Sequence, residues 1–200
     1  MAGKKIAKIV ASHSHVDYVG RVIDRLDAES APGADDYGFA QFVSLPVGAG
    51  EEVVVGVIYN TLLVNPEYGN LGPRLSPPSE LSVLSPDYLN EQGVLVGVLL
   101  LGWRDASGAH HAVPRRVIPV GQEIFRTTDE DALAFHRDEG GSLRLHYYSQ
   151  IVAHAGPFAL PLLEAVLEGL EAGASAEEKQ RFCVLRRSLA WQRTMGGVRL

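Results

Sequence analysis

His13, His15 and Asp17 stand at the spacing H-x-H-x-D in the stretch "SHSHVDYVG". Imidazole nitrogens and a carboxylate are the donors that hold a catalytic zinc, whose bound water becomes a nucleophile near neutral pH. A catalytic zinc needs three protein ligands and an open position, and a two-metal hydrolase needs more, from loops converging at one place. The other imidazoles are His110, His111, His136, His146 and His154. His110 and His111 fall in "SGAHHAV", which reads as a turn between two strands. The single Cys183 excludes an intramolecular disulfide and any multi-cysteine zinc site.

The same stretch resembles, short by one residue, the H-x-H-x-D-H signature of metallo-β-lactamase-like hydrolases. Tyr18 stands where that signature ends in histidine, and none of the other five histidines lies in a Gly-His-Thr-type loop. The resemblance implies metal-dependent hydrolysis at His13, His15 and Asp17, and this is carried as the alternative reading. The bland reading is a polar, exposed lead-in to a strand that opens at Tyr18. Other catalytic signatures are missing: there is no G-x-x-x-x-G-K-[ST] nucleotide loop and no G-x-S-x-G nucleophile elbow. Cys183 falls in an amphipathic helical pattern, where a buried structural thiol is expected. The acidic "TDEDAL" reads as a helix start, where carboxylates favour the positive end of the dipole.

The elements around these residues are β-rich. From Tyr18 to about Arg126, short apolar runs are cut by Gly, Pro, Asp and Asn: "YVGRVID", "GFAQFVSL", "EEVVVGVIYNTLLV", "VLVGVLLLGW" and "AVPRRVIPV". Branched and aromatic side chains suit a pleated surface, and Gly within several runs permits the bends of a small closed barrel, which leaves no exposed edges. Two polar breaks, Asp27 to Gly38 and the Pro-rich Asn65 to Glu80, read as long loops. Short helices are expected at "SPDYLNEQ", capped by Ser85 with Pro86 following, and at "TDEDALAFHRDEGG", capped by Thr128 and stopped at Gly140.

The C-terminal quarter changes character. "SLRLHYYSQIV" reads as one more strand. Then Phe158, Leu162, Leu163, Val166, Leu167 and Leu170 recur at helical spacing, with Pro161 near the start and Gly173 at the end. A Ser175 to Glu178 capping box opens a last helix bearing Phe182, Leu185, Leu189 and Met195. The fold class expected is mainly β with α: a small closed β-barrel followed by a C-terminal αα-hairpin. Its parts are a lead-in at 1–17, the barrel at 18–127 and a helical region at 128–200.

Composition sets the setting. The 200 residues are 46% hydrophobic, enough for a buried core. The longest apolar run, Val94 to Trp103, is half of the roughly 20 residues a membrane span needs. "MAGKKIAKIVA" has too short an apolar stretch for a signal peptide. A cytoplasmic location is the expectation. The net charge of −6 is uneven: three Lys stand within residues 1–10, and six basic residues face two acidic ones within 176–200. Between them nine basic residues meet 22 acidic ones. A body of that sign repels a phosphate backbone, so direct nucleic-acid binding by a barrel face is disfavoured.

The order of the strand motifs resembles the HAS-barrel, the small β-barrel at the N-terminus of HerA-type DNA-translocating ATPases, related to the ATP synthase barrel. The family's I/V-G-x-V first strand matches Val19-Gly20-Arg21-Val22, and its aromatic second strand matches Phe39 and Phe42. Its V-x-x-G-x-x-V-V-V turn and strand match Val47 to Val55, and its G-x-V strand matches Gly56-Val57-Ile58. "VIPVGQEIFRTTDEDALAFH" looks like the family's Pro-Gly, strand and acidic-helix segment. The likeness covers roughly residues 18 to 136. Here no P-loop motor follows the barrel, so the resemblance implies the family's assembly role without its ATPase activity.

The function expected is therefore a non-enzymatic interaction module in DNA processing or repair, with no cofactor. Its implied partner is a HerA-type ATPase or a NurA-type nuclease, with homo-oligomer formation as a further expectation. Arg186, Arg187, Trp191 and Arg193 on the last helix are the expected partner-binding residues, because Trp and Arg are enriched at binding hot spots.

Overall fold

The computed structural model of the 200-residue chain describes residues 3–25, 27–48, 52–66, 68, 91–138 and 140–196. Seven strands form within them: β1 (Lys5–Ser12), β2 (Asp17–Val22), β3 (Phe42–Val47), β4 (Glu52–Val64), β5 (Gly93–Asp105), β6 (Gly108–His110) and β7 (Glu123–Arg126). All pair antiparallel. The order β2-β1-β7-β3-β4-β5 returns on itself because β2 also pairs with β5, so six strands close into a barrel. β6 extends β5 outside the closed ring. The expected barrel is present.

Glycines let the interior fill. A Cβ at Gly20 would lie 2.6 Å from Ile124 Cδ1 and 3.3 Å from Val96 Cγ2. Only a residue without a side chain lets Ile124 of β7 reach across to β2. Gly56, at a bulge between β4 and β5, would meet Val98 Cγ1 at 2.8 Å and the Leu99 carbonyl oxygen at 3.0 Å. Around them Ile6, Val43, Leu45, Val57, Val98 and Ile124 are fully buried.

Several expected elements are placed differently. Lys5–Ser12, within the expected lead-in, is a barrel strand that buries Ile6, Ala7 and Ile9, with a register shift between Ile9 and Ala11. "AVPRRVIPV" is not a strand. Pro114 and Pro119 remove two ladder donors, and the chain joins the barrel only at Glu123–Arg126. β3 starts at Phe42 rather than Gly38, after Ala40 adopts a left-handed φ of 65°. The helix expected from Ser85 and most of the loop from Asn65 to Glu80 lie outside the described residues.

Four helices follow β7: α1 (Asp129–His136), α2 (Tyr148–His154), α3 (Ala159–Glu171) and α4 (Ala176–Gly196). Thr128 caps α1 as expected, its Oγ1 accepting the Asp131 N–H at 3.1 Å. The helix stops at His136, four residues before Gly140, because Arg137 turns to extended backbone and bridges Leu143. "SLRLHYYSQIV" supplies that bridge and then α2 instead of a strand. Its Tyr147 and Ile151 are buried at 1% and 0% exposure.

α3 and α4 form the expected hairpin. Pro161 is the third residue of α3, where no intrahelical donor is needed, and Leu162, Leu163, Val166, Leu167 and Leu170 are buried. The Ser175 N–H donates to Glu178 Oε2 at 2.7 Å, and the Glu178 N–H returns to Ser175 Oγ at 3.3 Å. The Leu143 N–H donates to Glu178 Oε1 at 2.8 Å, fastening the hairpin to the turn after α1. These donors hold the Glu178 carboxyl below the ordinary range. Barrel and helices share one apolar core. No helix among the described residues is long and apolar enough to cross a membrane.

Candidate functional site

His13, His15 and Val16 lie in the β1–β2 hairpin loop, with Asp17 opening β2. Ser14 Oγ accepts the Val16 and Asp17 N–H groups at 3.3 and 3.2 Å, which tightens the turn. The three expected metal donors do not converge on one point. His13 Nδ1 lies 3.3 Å from Asp17 Oδ2. His15 turns instead to the Pro114 carbonyl, 2.7 Å from its Nε2. The Tyr59 hydroxyl donates to Asp17 Oδ1 at 2.8 Å, and burial followed by that carboxylate pushes the phenol well above its ordinary range. Among the described residues, no group of three or more His, Cys, Asp or Glu is arranged to hold a metal.

The β5–β6 hairpin carries a hydroxyl, an imidazole and a carboxylate. Asp105 Oδ1 accepts the Ser107 N–H at 2.8 Å and the Ser107 hydroxyl at 2.5 Å, and the Trp103 indole N–H donates to Oδ2 at 3.1 Å. The Ser107 hydroxyl and amide lead the causes that hold this carboxyl well below the usual range. A nucleophilic relay needs the hydroxyl and the carboxylate on opposite nitrogens of the imidazole. Here both meet His110 Nε2, Ser107 Oγ at 2.9 Å and Asp105 Oδ1 at 3.2 Å. The set fastens a two-residue turn, and the His110 ring stacks on Trp103.

A second histidine group forms where β6, α1 and the start of α2 meet. The His136 Nδ1–H donates to the Ala132 carbonyl at 2.6 Å, and Nε2 accepts the Tyr147 hydroxyl. The His111 Nε2–H donates to the Phe135 carbonyl at 2.9 Å, and Nδ1 accepts the His146 N–H at 3.3 Å. Both rings are neutral with both nitrogens occupied. Burial pushes His136 down to about 4 and lowers His111 in the same direction, while it raises Tyr147. A cavity of about 60 Å³ opens over them beside Arg144 and His146. Arg144 is tied to Asp138 at 2.6 Å and Arg137 to the Gly141 and Gly173 carbonyls. Nothing in the spacing of these residues pointed to one another.

The outer face of α4 is different. The helix turns Phe182 and Leu189 inward, at 3% and 2% exposure, and presents Val184 at 67% and Trp191 at 64%. Arg187, one turn from Val184 and one from Trp191, is exposed and pairs with no described residue. Of the four residues expected to bind a partner, Arg187 and Trp191 share this face. Arg186 is spent within the chain, 3.0 Å from Glu171 Oε1 at the end of α3. The Arg193 side chain lies outside the described residues. Cys183 is exposed rather than buried, because the buried stripe through Phe182 and Leu189 leaves its neighbour about 100° around the helix. An indole, a valine and an exposed guanidinium on one helix face can dock an apolar surface with acidic neighbours.

No curated protein matches the sequence. The family model described as Domain of unknown function (DUF8166) matches residues 2–199. With barrel and helical hairpin both inside that match, the chain belongs to the DUF8166 family.

Proposed function

We propose that the protein is a non-enzymatic assembly module of the cytoplasm, a HAS-like barrel that docks through α4 onto a DNA-translocating ATPase of HerA type or its NurA-type nuclease. The observation that carries the reading is the outer face of α4, where Trp191, Val184 and Arg187 stand exposed on a helix already anchored by Phe182 and Leu189. Large aromatic and guanidinium groups held on a rigid helix are the usual anchors of protein interfaces. The ordered strand motifs add the kind of partner, by analogy of fold alone. The spent imidazoles at the barrel–helix junction and the divergent His13, His15 and Asp17 lend no support to catalysis.

Binding of the purified chain to a HerA-type ATPase and to a NurA-type nuclease, measured by calorimetry, tests this. A complex with one of them, weakened about tenfold or more by Trp191→Ala, is the expected result. Absence of binding to both, or binding indifferent to Trp191→Ala and Arg187→Glu, refutes it.

A further inference from the structure

The cavity over the barrel–helix junction carries cationic groups whose donors are not used up within the chain. After α1 the backbone returns by the bridge between Arg137 and Leu143, and the Arg144 N–H donates to the His136 carbonyl at 2.8 Å. Leu143 and Leu145 pack on the core, while Arg144 and His146 line the cavity of about 60 Å³. Phe135 and the neutral rings of His111 and His136 complete its inner wall.

Two residues at the rim hold donors that no described residue accepts. Arg144 gives only Nη2 to Asp138, at 2.6 Å, which leaves Nε and Nη1 without a described partner. The His146 backbone N–H is bound to His111, but its ring meets His111 only edge-on, at 5.9 Å between centroids, and neither ring nitrogen hydrogen-bonds a described residue. Charge points the same way. Arg137, also in the lining, donates to the neutral Gly141 and Gly173 carbonyls, so among the described residues of the cavity two guanidinium groups meet one carboxylate, Asp138. Glu178, whose carboxyl Arg137 helps to lower, accepts the Ser175 and Leu143 N–H groups and is not in the lining. Burial lowers His111 first, and the positive charge of His146 and Arg144 lowers it further.

We propose that this cavity binds a small oxyanion of phosphate type, held between the Arg144 guanidinium and the His146 ring. Size sets one limit. A water needs about 10–15 Å³ of such space, so the cavity has room for about four to six heavy atoms, and a phosphate group has five. Cofactors and drug-sized ligands fill roughly 300 Å³ or more and do not fit. Chemistry sets the other limit. Guanidinium N–H groups bind phosphate oxygens by charge-assisted hydrogen bonds, and an imidazole offers at least one N–H donor in either protonation state. The Arg144 side chain is 53% exposed, so the ester arm of a phosphate monoester has a way out to solvent. The site uses no residue of α4 and stands apart from its docking role.

Titration of the full chain with inorganic phosphate, at fixed pH and with ionic strength held constant by chloride, is followed through the histidine ring C–H signals in NMR. Saturable shifts at His111 and His146, half-complete at about millimolar phosphate or below, are expected, with His13 in the β1–β2 loop unmoved. Arg144→Gln is expected to weaken binding about tenfold or more, and His146→Gln about threefold. Asp138→Asn still accepts the Ser142 N–H and removes the competing charge, so it is expected to tighten binding about threefold, whereas a purely structural Asp138–Arg144 pair would loosen it. Phenyl phosphate separates the sources: shifts at the same two rings assign a phosphate monoester, and their absence restricts the site to free phosphate. Shifts that rise linearly, that chloride alone reproduces, or that keep their half-saturation in Arg144→Gln would overturn the proposal. Acetate binding as tightly as phosphate would do the same.

Discussion

Two histidine-bearing regions of this molecule differ in the opposite sense from their sequence spacing. In the β1–β2 loop, His13, His15 and Asp17 are close in sequence, yet only His13 and Asp17 approach each other while His15 turns to the Pro114 carbonyl. At the barrel–helix junction, His111 and His146 are 35 residues apart, yet His111 lies with ring centroids 5.6 Å from His136 and 5.9 Å from His146. The first region spends its polar groups on a tight turn at the surface. The second spends them inside, on the Ala132 and Phe135 carbonyls and on the buried Tyr147 phenol. Proximity in sequence sets the turn, and topology sets the cluster.

Breaking the junction gives the largest expected effect. His136→Ala removes a fully buried ring, strands the Tyr147 hydroxyl and leaves a cavity against Phe42 and Phe135, at a cost of about 3 kcal/mol. Tyr147→Phe keeps the ring and loses only the hydroxyl, leaving His136 Nε2 unsatisfied, and is expected to cost about 1–2 kcal/mol. Urea denaturation of the three proteins measures both. A loss under about 0.5 kcal/mol for His136→Ala would mean that the junction does not hold the helices to the barrel.

The same imidazole sharpens the comparison through pH. His136 has an ordinary value of 6.5 and is held at about 4 in the folded chain, so between those values the unfolded state binds more protons than the folded one. Stability is therefore full above about pH 6.5, falls as the pH drops toward 4, and loses no more to this group below that. The depression corresponds to roughly 3 kcal/mol over the window. Asp36, Asp138 and Glu178 are held below their ordinary carboxyl values and lose stability in the same direction, but only at pH lower than about their ordinary values near 4. The interval from pH 6.5 to 5 thus belongs to the histidines. His136→Gln is expected to flatten the stability curve there, and an unchanged slope would assign it elsewhere, with His111 the next group to test.

How much of this was legible follows from the physical character of each segment. β4 and β5 were readable because they are dense in Val, Ile and Leu, and α3 because its apolar residues repeat at the helical period over more than three turns. β1 was not, because Lys5, Lys8 and a bulge break the alternation of Ile6 and Ile9. α2 was misread because Tyr147, Tyr148, Ile151 and Val152 favour strands, and the tertiary need to bury Tyr147 and Ile151 against α3 overrode that preference. The α4 face was half legible. Arg187 and Trp191 could be named from residue type, whereas the turning of Arg186 toward Glu171 depends on where α3 ends. The junction was invisible, since its contacts span the barrel closure and two helices.

The smallest effects are expected in the β1–β2 loop, and they decide what its spacing means. His13 is 63% exposed at the side chain and keeps only a 3.3 Å approach to Asp17, so His13→Ala is expected to change stability by less than about 0.5 kcal/mol. His15→Ala loses the Pro114 contact and is expected to cost about 0.5–1 kcal/mol. A metal site would reverse this order. Three ligands closing on zinc would make all three side chains matter together, and zinc would raise the unfolding temperature of wild type but not of His13→Ala. Metal content and thermal unfolding of wild type, His13→Ala and Asp17→Asn with added zinc test the point. Equal, substoichiometric zinc and unshifted unfolding in all three is the expected outcome, because Tyr59 already occupies one oxygen of Asp17 and His15 faces the other way. Stoichiometric zinc lost in His13→Ala would show that the loop rearranges to gather its donors, and would return the spacing of His13, His15 and Asp17 to chemistry.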